Sequence, residues 1–326
     1  MKTNFCQQII SDFNPLHHIF LENMEFYYFL NEDCVSNFEF ADYFISKEIF
    51  TSSKPLSRKF KYITYLNTGK YGHHKSGNIL DRLHLFCNIT YVKKYRRSLN
   101  LLVYFISYKE KYPQYPPLRI LKSYSSIENI EIISLFPNLI CLNLSGQSVR
   151  ISNLNNLSNL TYLKFKLKNE ERIQLYHHCS NLKILYLCNY SYDSENKWNN
   201  DKFASLQKLK LNIESGEGNI YFSCSHLTFL KTFSYSPHIV PTIYLEDKIN
   251  LKYLLLDCVN IDQRYIQRAS SLVTLKINHE SNIILENKIH SNLKHLSLRN
   301  IKSVTLKNMT NLITPKFKNI IDLKIE

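Results

Sequence analysis

From residue 118 to residue 326, a short segment with apolar residues at its first, fourth and sixth places recurs along the chain, with mostly polar residues between them. The clear copies are PNLICLNL from Pro137, SNLTYLKF from Ser158, SNLKILYL from Ser180, ASLQKLKL from Ala204, INLKYLLL from Ile249, SSLVTLKI from Ser270 and SNLKHLSL from Ser291. The first apolar position falls at Leu118, Leu139, Leu160, Leu182, Leu206, Leu227, Leu251, Leu272, Leu293 and Ile320, at intervals of 21 to 27 residues. Repeats of this length indicate a solenoid, in which each unit buries its apolar face only against its neighbours.

Each repeat contains the pattern of a strand with one buried face, because its second and third apolar positions are two residues apart. Asn or Ser often precedes the first apolar position, as at Asn159 and Asn292. Such side chains hydrogen-bond the backbone at turns, which suits a chain that bends once per repeat. A further inward position, three residues before the first Leu, is occupied by residues such as Cys179 and Cys224. We expect burial of the second apolar residue at Leu142, Leu163, Leu185, Leu209, Leu254, Leu275 and Leu296.

The repeat resembles that of the leucine-rich-repeat family, which reads LxxLxL and then, three residues on, Asn or Cys. The resemblance implies an α/β solenoid, with about ten repeats forming a curved array and a parallel sheet on its concave face. At the offset of the family's Asn this chain has Tyr190 and Ile301, whereas Cys258 and Asn300 lie one place early. The convex side is therefore predicted to be irregular.

Short strands and short helices are both predicted for the convex segments. Alternating apolar residues predict strands at 148–151, 219–222, 242–245, 282–285 and 303–306. The segments NEERIQLYHH (169–178) and DQRYIQRA (262–269) predict short helices.

Three regions are predicted along the chain. Residues 1–66 form a helical N-terminal module, with two or three short helices over 14–44. Residues 67–117 comprise a basic loop, a capping helix at 96–111 and a Pro-rich boundary. Residues 118–326 form the solenoid. A small helical module before leucine-rich repeats is similar in layout to F-box proteins, and Pro15-Leu16 followed by Ile19-Phe20 resembles the opening of that module. This resemblance implies binding to a ubiquitin-ligase adaptor, and an ordinary helical cap is the alternative.

Charge adds a second alternative for function. The net charge is +14, from 41 basic and 27 acidic residues, and the segment 54–97 is strongly basic, with RKFK at 58–61 and KKYRR at 93–97. Such a segment is typical either of nucleic-acid binding or of a solvated surface. The eight cysteines form no CxxC pair, and the first residues lack a signal-peptide core. We therefore expect an intracellular protein, cytoplasmic or nuclear, that is not secreted and not membrane-bound.

The sequence contains no pattern of catalysis. It has no phosphate-binding Gly-rich loop, no HExxH, no GxSxG and no zinc-ligand spacing. We therefore predict no enzymatic activity, no cofactor and no metal.

Candidate binding residues lie at the outward positions of the predicted concave strands. Between the second and third apolar residues, six of ten repeats carry lysine: Lys122, Lys164, Lys210, Lys231, Lys276 and Lys324. In the middle repeats, the outward position just before the second apolar residue is mostly aromatic or aliphatic. Exposed aromatic residues beside charge are typical of interaction sites. The predicted partner-binding residues are Tyr162, Lys164, Ile184, Tyr186, Lys208, Lys210, Phe229, Lys231, Phe233, Tyr253 and Lys276.

These features favour a non-enzymatic protein–protein interaction module that binds an acidic partner on its concave face. One alternative is an F-box-type substrate receptor of a ubiquitin ligase, which differs in what the N-terminal module binds. The other is nucleic-acid binding through the basic segment 54–97 together with the concave lysines, which predicts steep salt dependence.

Overall fold

The structure is a computed structural model of the chain. It describes residues 19–21, 38–40, 65–67, 91–94, 117–123, 133, 135–149, 157–167, 179–192, 197–198, 203–216, 219–235, 240–246, 250–279 and 281–326. The chain divides into two compact units, Met1–Leu160 (unit 1) and Thr161–Glu326 (unit 2). The domain boundaries predicted from the sequence stay predictions.

Unit 1 contains parallel strands along its whole described length. They are β1 (Ile19–Leu21), β2 (Phe38–Phe40), β3 (Tyr65–Asn67), β4 (Tyr91–Lys94), β5 (Ile120–Ser123) and β6 (Cys141–Val149). Strand β1 pairs with β2, and β3, β4, β5 and β6 pair in that order. Parallel pairing of repeat type therefore begins upstream of the first predicted repeat.

The N-terminal prediction needs correction where the structure describes it. The segments 19–21 and 38–40 lie in the region predicted to be helical, yet they are extended and pair in parallel. Both are short runs of Ile, Phe and Leu interrupted by at most one polar residue, a composition that favours a strand once a partner strand is available. These residues give no support to an F-box module. The predicted capping helix at 96–111 and the predicted helix at 169–178 lie outside the described residues.

Unit 2 is built on a main sheet of parallel strands. Its strands, in spatial order, are β7 (Tyr162–Leu167), β8 (Ile184–Tyr192), β10 (Lys208–Gly216), β12 (Phe229–Ser234), β14 (Tyr253–Asp257), β16 (Thr274–Asn278), β18 (His295–Lys307) and β19 (Thr314–Ile325). The register aligns equivalent repeat positions, so that Leu209, Leu230 and Leu254 are direct neighbours. The predicted parallel solenoid is confirmed for this unit.

A smaller parallel sheet lies on the return path of the repeats. It contains β9 (Lys197–Trp198), β11 (Asn219–Phe222), β13 (Thr242–Leu245) and β15 (Asn260–Ile261), and a further strand, β17 (Asn282–Glu286), pairs with the second half of β18. One short helix, α1 (Gln263–Ile266), begins after Asp262, whose side chain accepts a hydrogen bond from the Arg264 backbone N–H at 3.0 Å. The predicted convex strands at 219–222, 242–245, 282–285 and 303–306 are confirmed, and the helix predicted at 262–269 is present in shorter form.

The buried face consists of the leucine rows. All seven leucines predicted at the second apolar position are at most 1% exposed. Cys179 and Cys224, at the further inward position, are also buried, and burial raises the pKa of each thiol to about 12. Since the neutral thiol is favoured there, both cysteines act as small apolar core residues.

Polar side chains connect the turns of successive repeats, whereas the sequence predicted hydrogen bonds within each turn. Asn292 Nδ2 donates to the Ser270 carbonyl at 3.0 Å, and Asn159 Nδ2 donates to the Pro137 carbonyl at 3.1 Å. Each bond reaches a turn about one repeat earlier, so these side chains stabilise stacking as well as the local turn.

The last repeat is placed differently from the sequence prediction. Strand β19 pairs with β18 so that Leu296 faces Pro315 and Val304 faces Leu323. The first apolar position of this repeat is therefore Leu312, and the prediction of Ile320 for that position is wrong. Pro315 occupies the place of the second leucine in this repeat. The later segment DLKI (322–325) therefore fits the repeat consensus better than the true repeat does, which caused the misplacement. Lys324 accordingly leaves the predicted lysine row, and Lys316 takes its place opposite Ser297.

An amide ladder marks the point where the last strands of the main sheet turn. Asn278 Nδ2 donates to Asp257 Oδ1 at 2.6 Å, Asn300 Nδ2 to Asn278 Oδ1 at 2.8 Å, and Asn319 Nδ2 to Asn300 Oδ1 at 2.8 Å. Asn300 and Asn319 both have φ of 54°, a left-handed conformation that Asn tolerates better than most residues. Asn300 and Asn319 lie two residues after the third apolar position of their repeats, whereas Asp257 and Asn278 lie one residue after it. The ladder therefore shifts by one place between Asn278 and Asn300, and it was not predicted from the sequence.

Candidate binding face of the main sheet

The strand register of unit 2 places the predicted site residues side by side. One outward row contains Tyr162, Ile184, Lys208, Phe229, Tyr253 and Thr274, and the next contains Lys164, Tyr186, Lys210, Lys231, Leu255 and Lys276. Phe233 lies in a third row. We call the predicted site residues, together with Leu255 and Tyr235, the aromatic–lysine face.

These side chains point outward because each strand alternates. In β12 and β14 the outward residues are half-buried or exposed, whereas the residues between them are buried. Tyr253 is 42% exposed, although Leu254 beside it is fully buried. The backbone therefore fixes the direction of each face residue, and neighbouring strands at about 4.8 Å bring equivalent side chains into contact range.

The aromatic residues form pairs across strands. Tyr162 and Tyr186 meet edge to face, with ring centroids 5.7 Å apart, and Lys210 Nζ lies 5.8 Å from the centroid of the Tyr186 ring. Phe229 and Tyr253 lie 6.1 Å apart with tilted rings. The edge-to-face geometry is one that aromatic quadrupoles favour, the tilted pair lies within the usual range of centroid distances, and the lysine adds a cation–π contact.

Tyr235 extends the face beyond the sequence prediction. It lies just after β12, is 58% exposed, and meets Phe233 edge to face at 4.6 Å. Its hydroxyl accepts a hydrogen bond from Asn212 Nδ2 at 3.2 Å, which holds the ring in place. The sequence prediction did not include Tyr235, although extending the alternation of Phe229, Lys231 and Phe233 by two residues reaches it.

The charge of the face is mainly positive. Lys208 and Lys276 are exposed, and Lys210 and Lys231 are half-buried. None of these lysines forms an ion pair with a carboxylate in the part of the chain that the structure describes. Asp257 is the acidic residue of the third row, and its carboxylate already accepts from Asn278. The face therefore presents lysines that form no described ion pair, beside one acidic residue, Asp257.

The described residues show neither a metal site nor a membrane-spanning helix. They contain no group of three or more His, Cys, Asp and Glu side chains arranged to hold a metal ion. No helix among them has the length and apolar character needed to cross a bilayer.

The chain resembles several solved structures. No protein-family model matches the chain, and no curated protein matches it. The crystal structure of an internalin from Listeria monocytogenes is similar at 15% sequence identity, covering 81% of this chain and 88% of that chain, with a TM-score of 0.44. The fold of unit 2 is established by its own register and burial.

Proposed function

We propose that this chain is a non-enzymatic protein-interaction module whose aromatic–lysine face binds an acidic segment of a protein partner. The observation that carries the proposal is the juxtaposition of partly exposed aromatic pairs and lysines without described ion pairs on neighbouring parallel strands. The face contributes nothing to the leucine core, so the fold does not require its chemistry.

The aromatic residues supply the apolar part of recognition. Phe229 and Tyr253 are held by the sheet backbone and by each other, so little side-chain freedom is lost when a partner covers them. Large aromatic side chains with this arrangement carry most of the energy at protein interfaces. A partner segment with an apolar or aromatic side chain fits this pair.

The lysines supply the electrostatic part. Lys210 and Lys231 face each other across β10 and β12, and a carboxylate placed between them interacts with both. Such charges mainly accelerate association and select an acidic partner, and salt weakens them.

The test uses the full chain as bait for a displayed library of random peptides. We expect enrichment of sequences with Asp or Glu flanking an aromatic or aliphatic residue. Calorimetry then compares one enriched peptide against wild-type protein, Phe229→Ala and Tyr253→Ala; each variant should weaken binding by about 2 kcal/mol if the pair is the hot spot. Lys231→Ala should have a smaller effect that fades at high salt.

Tyr221 and Tyr244 provide a matched control. They stack at 5.0 Å on the smaller sheet, outside the aromatic–lysine face, and Tyr221 is 39% exposed. Tyr221→Ala should leave the affinity unchanged. The proposal fails if this control weakens binding as much as Phe229→Ala does, or if no acidic sequences are enriched. A single-stranded RNA oligonucleotide provides the test of the alternative. If it competes with the peptide, and if Phe229→Ala weakens RNA binding, the face would be assigned to nucleic acid instead.

A further inference from the structure

Three lysines lie together near the centre of the aromatic–lysine face. Lys208 and Lys210 are two residues apart on the outward side of β10, and Lys231 lies directly opposite Lys210 on β12. Residues two apart along a strand are separated by about 6–7 Å, and neighbouring strands by about 4.8 Å. The long side chains of these lysines can therefore converge on one bound group, and we call the three residues the lysine trio.

The lysine trio is a local concentration of charge rather than part of an even row. Among the described strands of unit 2, the second outward row has two lysines directly opposite each other only within the trio. Tyr186 separates the trio from Lys164, and Leu255 separates it from Lys276. Like charges directly opposite each other destabilise a sheet, so the fold gains no stability from this arrangement.

No described carboxylate neutralises the lysine trio. Its three side chains form no ion pair within the part of the chain that the structure describes. Asp257 lies in the third outward row, on the strand next to that of Lys231. Its carboxylate accepts hydrogen bonds from Asn278 Nδ2 at 2.6 Å and from Cys258 Sγ at 3.7 Å. The charges of the trio are therefore open to an anion from a partner.

Apolar side chains border the lysine trio on both sides. Lys208 is flanked by Ile184 on β8 and by Phe229 on β12. In the next row, Lys210 Nζ lies 5.8 Å from the centroid of the Tyr186 ring. Side chains that displace water around an anion strengthen its attraction to nearby cations, because they lower the local dielectric constant. A compact anion is therefore held more strongly on the trio than on an open lysine surface.

The number of cations at this point indicates the type of anion. A carboxylate carries a single charge on two oxygens, whereas a phosphorylated side chain carries about −1.5 to −2 charges at pH 7 and three acceptor oxygens. Each lysine ammonium group donates hydrogen bonds and accepts none. Three ammonium groups around one phosphoryl group match its charge and its number of oxygens, whereas one carboxylate balances only one of the three charges.

We infer that the lysine trio binds a phosphoryl group, so that the aromatic–lysine face recognises a partner segment that contains phosphorylated serine or threonine. This inference rests on the proposed function of the face and names the chemistry of its acidic partner. An apolar or aromatic side chain of the segment packs on Phe229 and Tyr253, one strand further along the sheet. One strand spacing of about 4.8 Å corresponds to one or two residues of an extended segment, which rises about 3.3 Å per residue.

The arrangement favours a phosphorylated peptide over a nucleic acid. A nucleic acid carries a phosphate at every nucleotide and is bound by positive charge that follows its backbone. On the aromatic–lysine face the positive charge is concentrated at the lysine trio, and the adjoining positions of the same row hold Tyr186 and Leu255. A single phosphoryl group with apolar side chains beside it fits this pattern.

The probes are two libraries of short random peptides that differ only at a fixed central position, which is phosphoserine in one library and glutamate in the other. The full chain, used as bait, should retain more of the phosphoserine library, with aromatic or aliphatic residues enriched one or two positions from the centre. One retained peptide is then made in both forms, and fluorescence anisotropy measures each affinity. The phosphoserine form should bind at least about tenfold more tightly, because it gains charge-assisted hydrogen bonds to the trio.

Variants of the full chain locate the phosphoryl site. Lys210→Gln and Lys231→Gln should each reduce the preference for phosphoserine over glutamate to about threefold or less, since each removes a charge beside the phosphoryl group. Lys294→Gln is the matched control and should keep the preference, because Lys294 is exposed and precedes β18, outside the aromatic–lysine face. Phe229→Ala should weaken both peptide forms by a similar factor, because it removes apolar contact and no charge.

The possible failures are distinguishable. Equal affinity of the phosphoserine and glutamate forms would overturn the inference and leave the proposed function standing, with a carboxylate on the face. A preference for phosphoserine that survives both Lys210→Gln and Lys231→Gln would also overturn it, because the phosphoryl group would then bind elsewhere. Tighter binding of a single-stranded RNA oligonucleotide, with the same dependence on these two lysines, would assign the trio to nucleic acid. Retention of neither library would remove the proposed function together with the inference.

Discussion

The inward and outward sides of the main sheet in unit 2 come from the same strands, yet they obey different rules. Inward, the second repeat position is leucine in every strand from β7 to β18, and each of these side chains is at most 1% exposed. Outward, the neighbouring row changes from Tyr162 to Ile184, Lys208, Phe229 and Tyr253, with exposure that ranges from half-buried to exposed.

The difference separates what builds the fold from what the fold displays. Leucine recurs inward because each rung must fill the same space against its two neighbours. No such requirement acts outward, where aromatic pairs and lysines are compatible with the strand but unnecessary for burial. Substitutions on the inward side should therefore change the stability of the fold, and substitutions on the outward side should change binding.

The largest effect is expected for two adjacent leucines of β14. Leu254 is inward and fully buried, whereas Leu255 is outward and half-buried. Leu254→Ala should lower the free energy of unfolding by about 2–5 kcal/mol, because it removes apolar contacts and leaves a cavity. Leu255→Ala should cost less than about 1 kcal/mol, since the truncated side chain leaves no enclosed cavity.

Urea unfolding followed by circular dichroism measures both changes. Equal losses of stability for the two variants would contradict the division of the sheet into a structural and a display side. At temperatures where both variants are folded, Leu255→Ala should weaken the binding of an enriched acidic peptide more than Leu254→Ala does.

A second test concerns a polar residue on the inward side. His290 is 1% exposed at the further inward position, where other repeats have Phe203 or Cys224. Its Nε2 lies 2.7 Å from the Ile266 carbonyl, and its Nδ1 lies 3.0 Å from the Glu286 backbone nitrogen. With Nε2 as donor and Nδ1 as acceptor, the imidazole satisfies both groups and connects α1 to the turn after β17.

His290→Ala should therefore destabilise the protein by about 2–3 kcal/mol, because it leaves a cavity, removes the acceptor of the Glu286 N–H and leaves the Ile266 carbonyl with only the 3.3 Å bond from the Ala269 N–H. Thermal unfolding is the measurement, with His295→Ala as control, since His295 lies on the outward side and bonds Thr314 Oγ1 at 2.7 Å. A loss of stability no larger than that of the control would show that the imidazole is not needed there.

The inward side was also the part that the sequence could predict. Seven leucines, the further inward cysteines and four convex strands were placed correctly, because periodic burial leaves a repeated signal. Strand β4 was missed although NITYVK at 88–93 matches NLTYLK at 159–164, since Ile and Val stand there in place of Leu. Strand β19 was misaligned because Pro315 replaces a leucine.

The outward side was predictable only as a list of positions. Alternation alone placed Phe229 and Tyr253 in one row, and the register confirms that they are neighbours. Which rings touch, and that Lys210 lies near the Tyr186 ring, depends on side-chain rotamers that periodicity does not specify. The amide ladder was missed for a related reason: it depends on the left-handed backbone at Asn300 and Asn319, which shifts the ladder by one residue.

The smallest expected effect comes from an inward position that departs from the leucine pattern. Thr232 occupies the third apolar place of its repeat, is fully buried, and its Oγ1 has no hydrogen-bond partner among the described residues. Val has nearly the same shape without the hydroxyl, so Thr232→Val should raise the free energy of unfolding by about 1 kcal/mol. Thr228 is the matched control, because its Oγ1 donates to the Gln207 carbonyl at 3.2 Å, and Thr228→Val should be neutral or destabilising. If Thr232→Val lowered the urea midpoint, the hydroxyl would have a partner in the folded protein, and the inward side would be less strictly apolar than its leucine rows indicate.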